Sequence, residues 1–234
     1  MTDHSFFTAF TASTASTAFT PFTADELRIV RDAGRRRDWE HGETLMREGS
    51  PSDDIVLVED GLVKISAETA NGYTSVLALR GPGELLGELS CVDGGPRSAT
   101  VTAIRAGRGV VVTADRFRQL LTQPGPLALA VLRSVTARLR HSDRLRAEHG
   151  AYPAGARVAR VLADLALCHG VPVADPPGAV VVRITQEELA GAAGTSRESV
   201  ARTVRELRRD GLVTVTRGRA VVPDAAALLR WGGE

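Results

Sequence analysis

Residues 185–211 read TQEELAGAAGTSRESVARTVRELRRDG, and this stretch decides the C-terminal fold. Thr185 followed by Glu188 fits a capping box, in which the hydroxyl takes one orphan N–H and the carboxylate reaches back. Leu189, Ala190, Ala192 and Ala193 make a helix of small residues, which lets a second helix cross it closely. Gly194-Thr195 reads as a tight turn. Ser196 caps a second helix that runs to about Arg209, and Gly211 stops it in the left-handed region. Helix, glycine turn and helix in this order predict a helix-turn-helix.

The second helix carries Arg197, Arg202, Arg205, Arg208 and Arg209 against Glu198 and Glu206, with Val200, Val204 and Leu207 as its buried stripe. Arg197, Glu198 and Arg202 lie near its N-terminal end, where a recognition helix presents residues to base edges. Arginine pairs with guanine O6 and N7, and glutamate accepts from the cytosine amine. Downstream, Leu212–Thr216 and Arg219–Val222 read as strands joined through Arg217-Gly218, like a winged hairpin whose two arginines touch phosphates. Thr185, Ser196, Arg197, Glu198, Arg202, Arg217 and Arg219 form the candidate DNA-binding set.

Upstream lie a helix at Arg157–His169, a Gly/Pro-rich loop from Pro172 to Gly178 and a strand at Val180–Ile184. Residues 126–149 form a longer helix without internal Gly or Pro. Its Leu132, Val135 and Leu139 recur at three and four, Ser142 continues the line, and the spacing predicts a seam between two copies. Gly150 and Pro153 then break the chain. From 40 to 113 the pattern changes. Short apolar runs (Ile55–Val58, Leu62–Ile65, Val76–Leu79, Val101–Ile104, Val110–Val112) alternate with turn signals at Asp60-Gly61, Asn71-Gly72, Gly81-Pro82-Gly83, Gly94-Gly95-Pro96 and 107–109. Such punctuation predicts a small antiparallel barrel or sandwich. Before it, residues 22–34 read as an amphipathic helix with a capping box at Thr23 and Glu26, and 115–121 as a short helix. Residues 1–21 are a Thr/Ala/Ser/Phe-rich tail, expected to be disordered because small polar residues bury too little surface to offset ordering entropy.

The composition bounds the function. The chain has 234 residues, 43% hydrophobic and 24% charged, which excludes a globally disordered or fibrous protein. The net charge of +1 hides an asymmetry, with −4 over residues 1–125, +3 over 126–149 and +2 over 150–234, so the back of the chain is the part expected to meet a polyanion. Cys91 and Cys168 are the sole cysteines, too few for a disulfide framework or for a cysteine-rich structural zinc or iron–sulfur site. No run of about 18 apolar residues predicts a membrane span, and no basic N-terminal region predicts a signal peptide, so a cytoplasmic location is expected.

Residues 81–103, GPGELLGELSCVDGGPRSATVTA, form a turn-rich loop with Glu88, Arg97 and Ser98 between two strands. A guanidinium, a hydroxyl and free backbone N–H groups suit a phosphate, and a carboxylate on the same loop suits a ribose hydroxyl. An ion pair between Glu88 and Arg97 across a bulged loop is the plainer alternative.

Over about residues 22–230 the sequence resembles the cyclic AMP receptor protein (CRP/FNR) superfamily of bacterial transcription regulators. The resemblance rests on Gly87-Glu88-Leu89 with Pro96-Arg97-Ser98-Ala99, and on Thr185 through Ala190 with Thr195 through Arg202. It implies an α+β chain with an N-terminal β-roll, a jelly-roll-like cyclic-nucleotide-binding barrel, over 22–125. A dimerisation helix over 126–150 and a winged helix-turn-helix over 151–234 would follow. It implies that Glu88 takes the ribose 2′-hydroxyl, that Arg97 and Ser98 take the cyclic phosphate, and that backbone groups around Gly87 and Leu89 help. Ser142 and Asp143 fall where two adjacent polar residues read adenine, one from each subunit. The implied effector is cyclic AMP or another cyclic nucleotide, and the implied target a palindrome with TGTGA-like half-sites. Double-stranded DNA, a second copy of the chain and RNA polymerase are the implied partners.

Three departures stand out. Asp143 replaces the usual Ser, Thr or Asn and places a carboxylate beside an anionic ligand; the alternative it raises is a regulator with a different effector or none. Tyr152-Pro153 stands at the hinge, and the tail has no family counterpart. His41 is the one histidine between residues 5 and 140 and sits early, so no axial haem ligand is expected, nor any metal or iron–sulfur cofactor. Ser98 has no nearby histidine in sequence, and no paired-carboxylate or nucleotide-hydrolysing motif occurs, so no catalysis is expected.

Overall fold

The structure is a computed structural model that describes residues 22–68, 74–216 and 218–231, the side chains of 145–150 excepted. The tail, the Asn71-Gly72 turn and Arg217 lie outside the described residues. The chain forms two compact units, one within Thr20–Asp143 and the other within Arg144–Glu234.

The first unit opens with α1 (Ala24–Asp32), whose Thr23–Glu26 capping box is formed in both directions. Strands β1 (Arg35–Trp39), β2 (Thr44–Met46), β3 (Asp54–Glu68), β4 (Thr74–Arg80), β5 (Leu85–Leu86) and β6 (Thr100–Thr113) build one antiparallel sheet in the order β1-β6-β3-β4. β2 adds to β6 and β5 to β3. Helices α2 (Glu88–Asp93), α3 (Ala114–Thr122) and the start of α4 (Leu127–Ala151) complete the unit. One core packs α1, α3 and α4 on the sheet through Val30, Ile55, Leu57, Val112, Phe117, Leu127 and Val131. A second lies inside the curled sheet around Trp39, Val56, Val63, Val101 and Val111. Burying a side chain of the size of Phe117 is worth about 1.5–3 kcal/mol.

Two expectations change here. Asp60-Gly61 and residues 107–109 are not hairpin turns. The apolar runs on either side of each belong to single long strands, β3 and β6, whose register shifts at bulges between Val58 and Val63. The reason is steric. A Cβ on Gly107 would stand 2.2 Å from the Asp60 carbonyl oxygen and 2.6 Å from the Gly61 Cα, so these glycines let two bent strands cross closely. Residues 88–93, read as loop, form the helix α2 between left-handed Gly87 and Gly94.

The second unit starts within α4 and continues with α5 (Ala154–His169), β7 (Val171–Pro172), β8 (Val180–Arg183), α6 (Gln186–Ala193), α7 (Arg197–Arg209), β9 (Thr214–Thr216), β10 (Arg219–Val222) and α8 (Ala225–Arg230). The sheet order is β7-β8-β10-β9. Val158, Leu162, Leu165, Leu189, Val204, Leu207, Val222 and Leu228 are among its buried aliphatics. Sequence reading did not anticipate β1, β2, β5, β7 or α8.

Candidate functional site

The first site is built on the α2 corner. Gly87 caps α2 at φ +80°, a conformation that suits glycine. It is needed for a second reason, because a Cβ there would lie 2.2 Å from Arg97 Nη1. Arg97 is thereby drawn under the corner and is 5% exposed. Its Nη1 donates to Gly87 O at 3.0 Å and Ser90 Oγ at 3.1 Å. Its Nη2 donates to Asp54 O at 2.6 Å and Asp54 Oδ1 at 2.9 Å. Glu88, also buried, is ion-paired with Arg138 of α4 rather than with Arg97. Arg138 Nη2 also donates to Leu85 O at 2.9 Å. The plainer Glu88–Arg97 pair is therefore replaced by two separate pairs, Glu88–Arg138 and Arg97–Asp54.

A further buried pair adjoins them. Glu84 accepts from the Gly81 N–H at 2.8 Å and faces Arg80 Nε at 3.3 Å. Burial pushes the Glu84 carboxyl above its usual range, against the opposing pull of Arg80. Burial likewise lowers Arg80, against the pull of Glu84. Of the expected residues, the structure brings Gly87, Glu88 and Arg97 together, while the neighbouring Leu89 and Ser98 are exposed.

Helix α4 has two faces. Leu127, Ala130, Val131 and Ser134 are buried, and Val135 packs on the same core, so Val135 belongs to the inner face and not to the expected outer seam. Arg138 continues this inner face, and Ser142 follows one turn later. The outer face shows Leu129, Leu132 and Leu139, each more than half exposed. With Thr136 they recur at three and four, and Asp143, also exposed, is the next position. Ser142 and Asp143 thus lie on different stripes of one helix. Sequence reasoning missed Asp54 and Arg138. Arg138 had a signal, standing four residues before Ser142 on the same helical face. Asp54 had none, because only the fold brings the start of β3 to Arg97.

The second site is the α6–α7 pair. The Thr185–Glu188 capping box is formed, with Glu188 N to Thr185 Oγ1 at 3.2 Å and Thr185 N to Glu188 Oε2 at 2.9 Å. Gly194 closes α6 at φ +57°, and Ser196 caps α7 by accepting from Ser199 N at 3.1 Å. Val200, Thr203, Val204 and Leu207 are the buried stripe of α7. Arg197, Glu198, Arg202, Arg205, Arg208 and Arg209 are exposed. Arg157, another residue sequence reasoning missed, pins the turn: it donates to Ala193 O, Gly194 O and Tyr152 O, each at 3.0 Å. On the wing, Arg219 of β10 stands opposite Arg183 of β8, and both are exposed. Like charges directly opposite destabilise a sheet pair, so this register juxtaposes two mutually repelling guanidinium groups. The signal for Arg183 was its place as the one charge in a Val-rich strand.

Among the described residues, no three His, Cys, Asp or Glu side chains are placed to hold a metal ion. No helix among them is long and apolar enough to cross a membrane.

Comparison with known proteins assigns a family to each of the two units. Residues 36–123 match the cyclic nucleotide-binding domain family, and residues 156–231 match the Crp-like helix-turn-helix domain family. The class is a transcription regulator that joins a nucleotide-binding domain to a DNA-binding domain, not an enzyme. The chain belongs to the cyclic AMP receptor protein (CRP/FNR) family. It is 30% identical over 195 residues to the CRP-like cAMP-activated global transcriptional regulator of Mycobacterium tuberculosis, covering 82% of this chain and 86% of that one. It is also 30% identical over 204 residues to the cyclic AMP receptor protein of Thermus thermophilus, covering 87% and 91%. The fold matches FixK2 from Bradyrhizobium japonicum at TM-score 0.75 and 18% identity, covering 86% of this chain and 98% of that one. It matches a CRP-family regulator from Thermus thermophilus at TM-score 0.72 and 24% identity, covering 85% and 97%. The helix-turn-helix domain and family membership imply DNA binding and the dimerisation typical of the family.

Proposed function

We propose that the chain works as a cytoplasmic homodimer that binds palindromic DNA with TGTGA-like half-sites under the control of a cyclic nucleotide, cyclic AMP being the first candidate. The observation that carries this reading is the Glu88–Arg138 pair, which ties the α2 corner directly to α4. A ribose hydroxyl that engages Glu88 alters the partner of Arg138 and so acts on the helix. Arg97 and Ser98 meet the phosphate in this reading, with the backbone at Gly87 and Leu89. Ser142 faces the bound base from its own subunit, and Asp143, on the leucine stripe, comes from the partner. Domains at 22–125, 126–150 and 151–234 then serve as sensor, dimer helix and DNA reader, with RNA polymerase as a downstream partner.

DNA reading falls to Arg197, Glu198 and Arg202 at base edges. Thr185, Ser196, Arg217 and Arg219 hold phosphates. Pairing along Leu129, Leu132 and Leu139 removes three exposed leucines per copy from water. Effector binding favours the DNA-competent state by differential affinity, and two recognition helices set about one DNA turn apart fit the two half-sites.

The test is fluorescence anisotropy on a TGTGA–TCACA duplex, with and without cyclic AMP or cyclic GMP, at fixed salt. Tightening by cyclic AMP alone is expected. A second reading, the same DNA binder with another effector or none, is favoured by Asp143, whose carboxylate adds a negative charge beside an anionic ligand. Equally tight binding without nucleotide would establish that second reading and overturn the first.

A further inference from the structure

Arg97 is the cation that the proposed effector needs, yet its donors are already committed. A guanidinium has five N–H bonds. The four on the terminal nitrogens go to Gly87 O, Ser90 Oγ, Asp54 O and Asp54 Oδ1. Only Nε–H has no partner among the described residues. Phosphates prefer two parallel N–H bonds from one edge of the fork. A nucleotide phosphate can therefore pair with Arg97 in that way only by taking over a terminal donor.

The acceptors differ in what release would cost. Gly87 O and Asp54 O are main-chain carbonyls beside a side chain that is 5% exposed, and Ser90 is buried too. A buried acceptor left without its donor bears the full desolvation penalty. The Asp54 side chain is 31% exposed, so its carboxylate returns to water when it lets go. It also carries the negative charge that would repel an incoming phosphate. Its own carbonyl keeps Nη2 anchored meanwhile, so release of the carboxylate leaves Arg97 in place.

We propose that Asp54 is an internal anion that holds Arg97 in the effector-free chain and is exchanged for the effector's phosphate, so that this residue sets effector affinity. The proposal rests on the reading of Arg97 as the phosphate-binding residue. Asp54 acts through Arg97 and is a positioning residue with a regulatory consequence. A purely structural Asp54 would have the opposite signature, because its loss would loosen Arg97 and weaken binding.

The experiment uses the full chain, the isosteric variant Asp54→Asn and the truncation Asp54→Ala. The Asn side chain still accepts from Nη2, so this variant keeps the geometry and removes the charge. Calorimetric titration with cyclic AMP is expected to show Asp54→Asn binding about tenfold tighter, the difference between a charge-assisted and a neutral hydrogen bond at the competing position. A second readout needs no nucleotide. Melting temperatures are compared in inorganic phosphate and in chloride at matched ionic strength. Asp54→Ala is expected to be stabilised by phosphate more than the parent is.

Equal or weaker cyclic AMP binding by Asp54→Asn, with the same phosphate response in all three proteins, overturns the exchange and leaves the effector reading intact. No binding of cyclic AMP or cyclic GMP by any of the three, with the selective phosphate response of Asp54→Ala present, overturns the effector reading and leaves the exchange intact.

Discussion

Replacing Arg138 by alanine tests whether the Glu88–Arg138 pair is a structural tie as well as the signalling tie proposed above. Glu88 is 3% exposed, and the Arg138 side chain 18%. The substitution strands a buried carboxylate and removes the donor to Leu85 O. Breaking one side of a buried pair costs about 3–5 kcal/mol. The nearby Arg80 charge and the partial exposure of Arg138 place the expectation at the lower end, about 3 kcal/mol. With a urea slope of about 2 kcal/mol/M, the midpoint falls by about 1.5 M. Two tryptophans are present, and Trp39 lies in the core of the same unit while Trp231 lies in the other. A Trp231→Phe background therefore lets fluorescence report the sensor unit alone. Glu88→Gln in combination with Arg138→Ala removes the stranded charge, so the double variant is expected to recover at least 1 kcal/mol relative to the sum of the singles, a coupling of about the size found for contacting residues. Additivity within about 0.5 kcal/mol would refute the argument, because it would mean that the two side chains do not depend on each other.

Three further outcomes follow from the same geometry. Burial pushes the Glu26 carboxyl up, but the Thr23 N–H, the Thr23 hydroxyl and Arg133 together hold it below its ordinary 4.5. A lowered acid stabilises the fold above its unfolded value and loses that contribution as the pH falls through the folded value. Glu26→Gln should thus cost about 1 kcal/mol at pH 7, with the gap closing below about pH 4 in urea titrations at each pH. In anisotropy titrations Arg202→Ala should cost about 1–3 kcal/mol on the specific duplex and little on random DNA, whereas Arg183→Ala should weaken both alike and lower the salt slope by about one. Leu132→Glu should yield a folded monomer by sedimentation, since Leu132 is 60% exposed and contributes little to its own unit.

How much of this was legible in the sequence depended on whether the signal was local. Capping boxes, glycine stops and the α7 arginine face involve residues within a helical turn of one another, and Thr23, Thr185, Gly194 and Gly211 stand where local chemistry predicts. The glycines of β3 and β6 misled because a turn and a close strand crossing both call for glycine. Only the position of Gly107 against Asp60, 47 residues away in number, distinguishes them. The partners of the site charges were illegible for the same reason. Glu88 and Arg97 share a loop and carry opposite charge, so pairing them is the natural sequence reading. The fold instead supplies Arg138 from 50 residues downstream and Asp54 from 43 upstream.

In the proposed function, the two faces of α4 let one helix serve both an effector and a second copy. Arg138 and Ser142 are four residues apart on the inner stripe, and Leu139 and Asp143 are four apart on the outer one. The two stripes are offset by a single residue, so a rotation of the helix that follows a new partner for Glu88 turns Leu139 and Asp143 with it. A helix is stiff at this length, since each residue is tied to the next turn by a backbone hydrogen bond. An exchange of partners at Glu88 therefore cannot be absorbed between the stripes. In the proposed dimer it would appear as altered pairing along Leu129, Leu132 and Leu139. In a parallel pairing of the proposed dimer, the carboxylate of Asp143 would matter twice, near its own counterpart and near the proposed ligand. Asp143→Asn removes both repulsions while leaving the leucines untouched. If the inner and outer stripes act as one body, that variant should dimerise more tightly without nucleotide and bind the palindrome with a smaller dependence on it. Tighter nucleotide binding with no change in dimerisation would instead mean that the two stripes work independently.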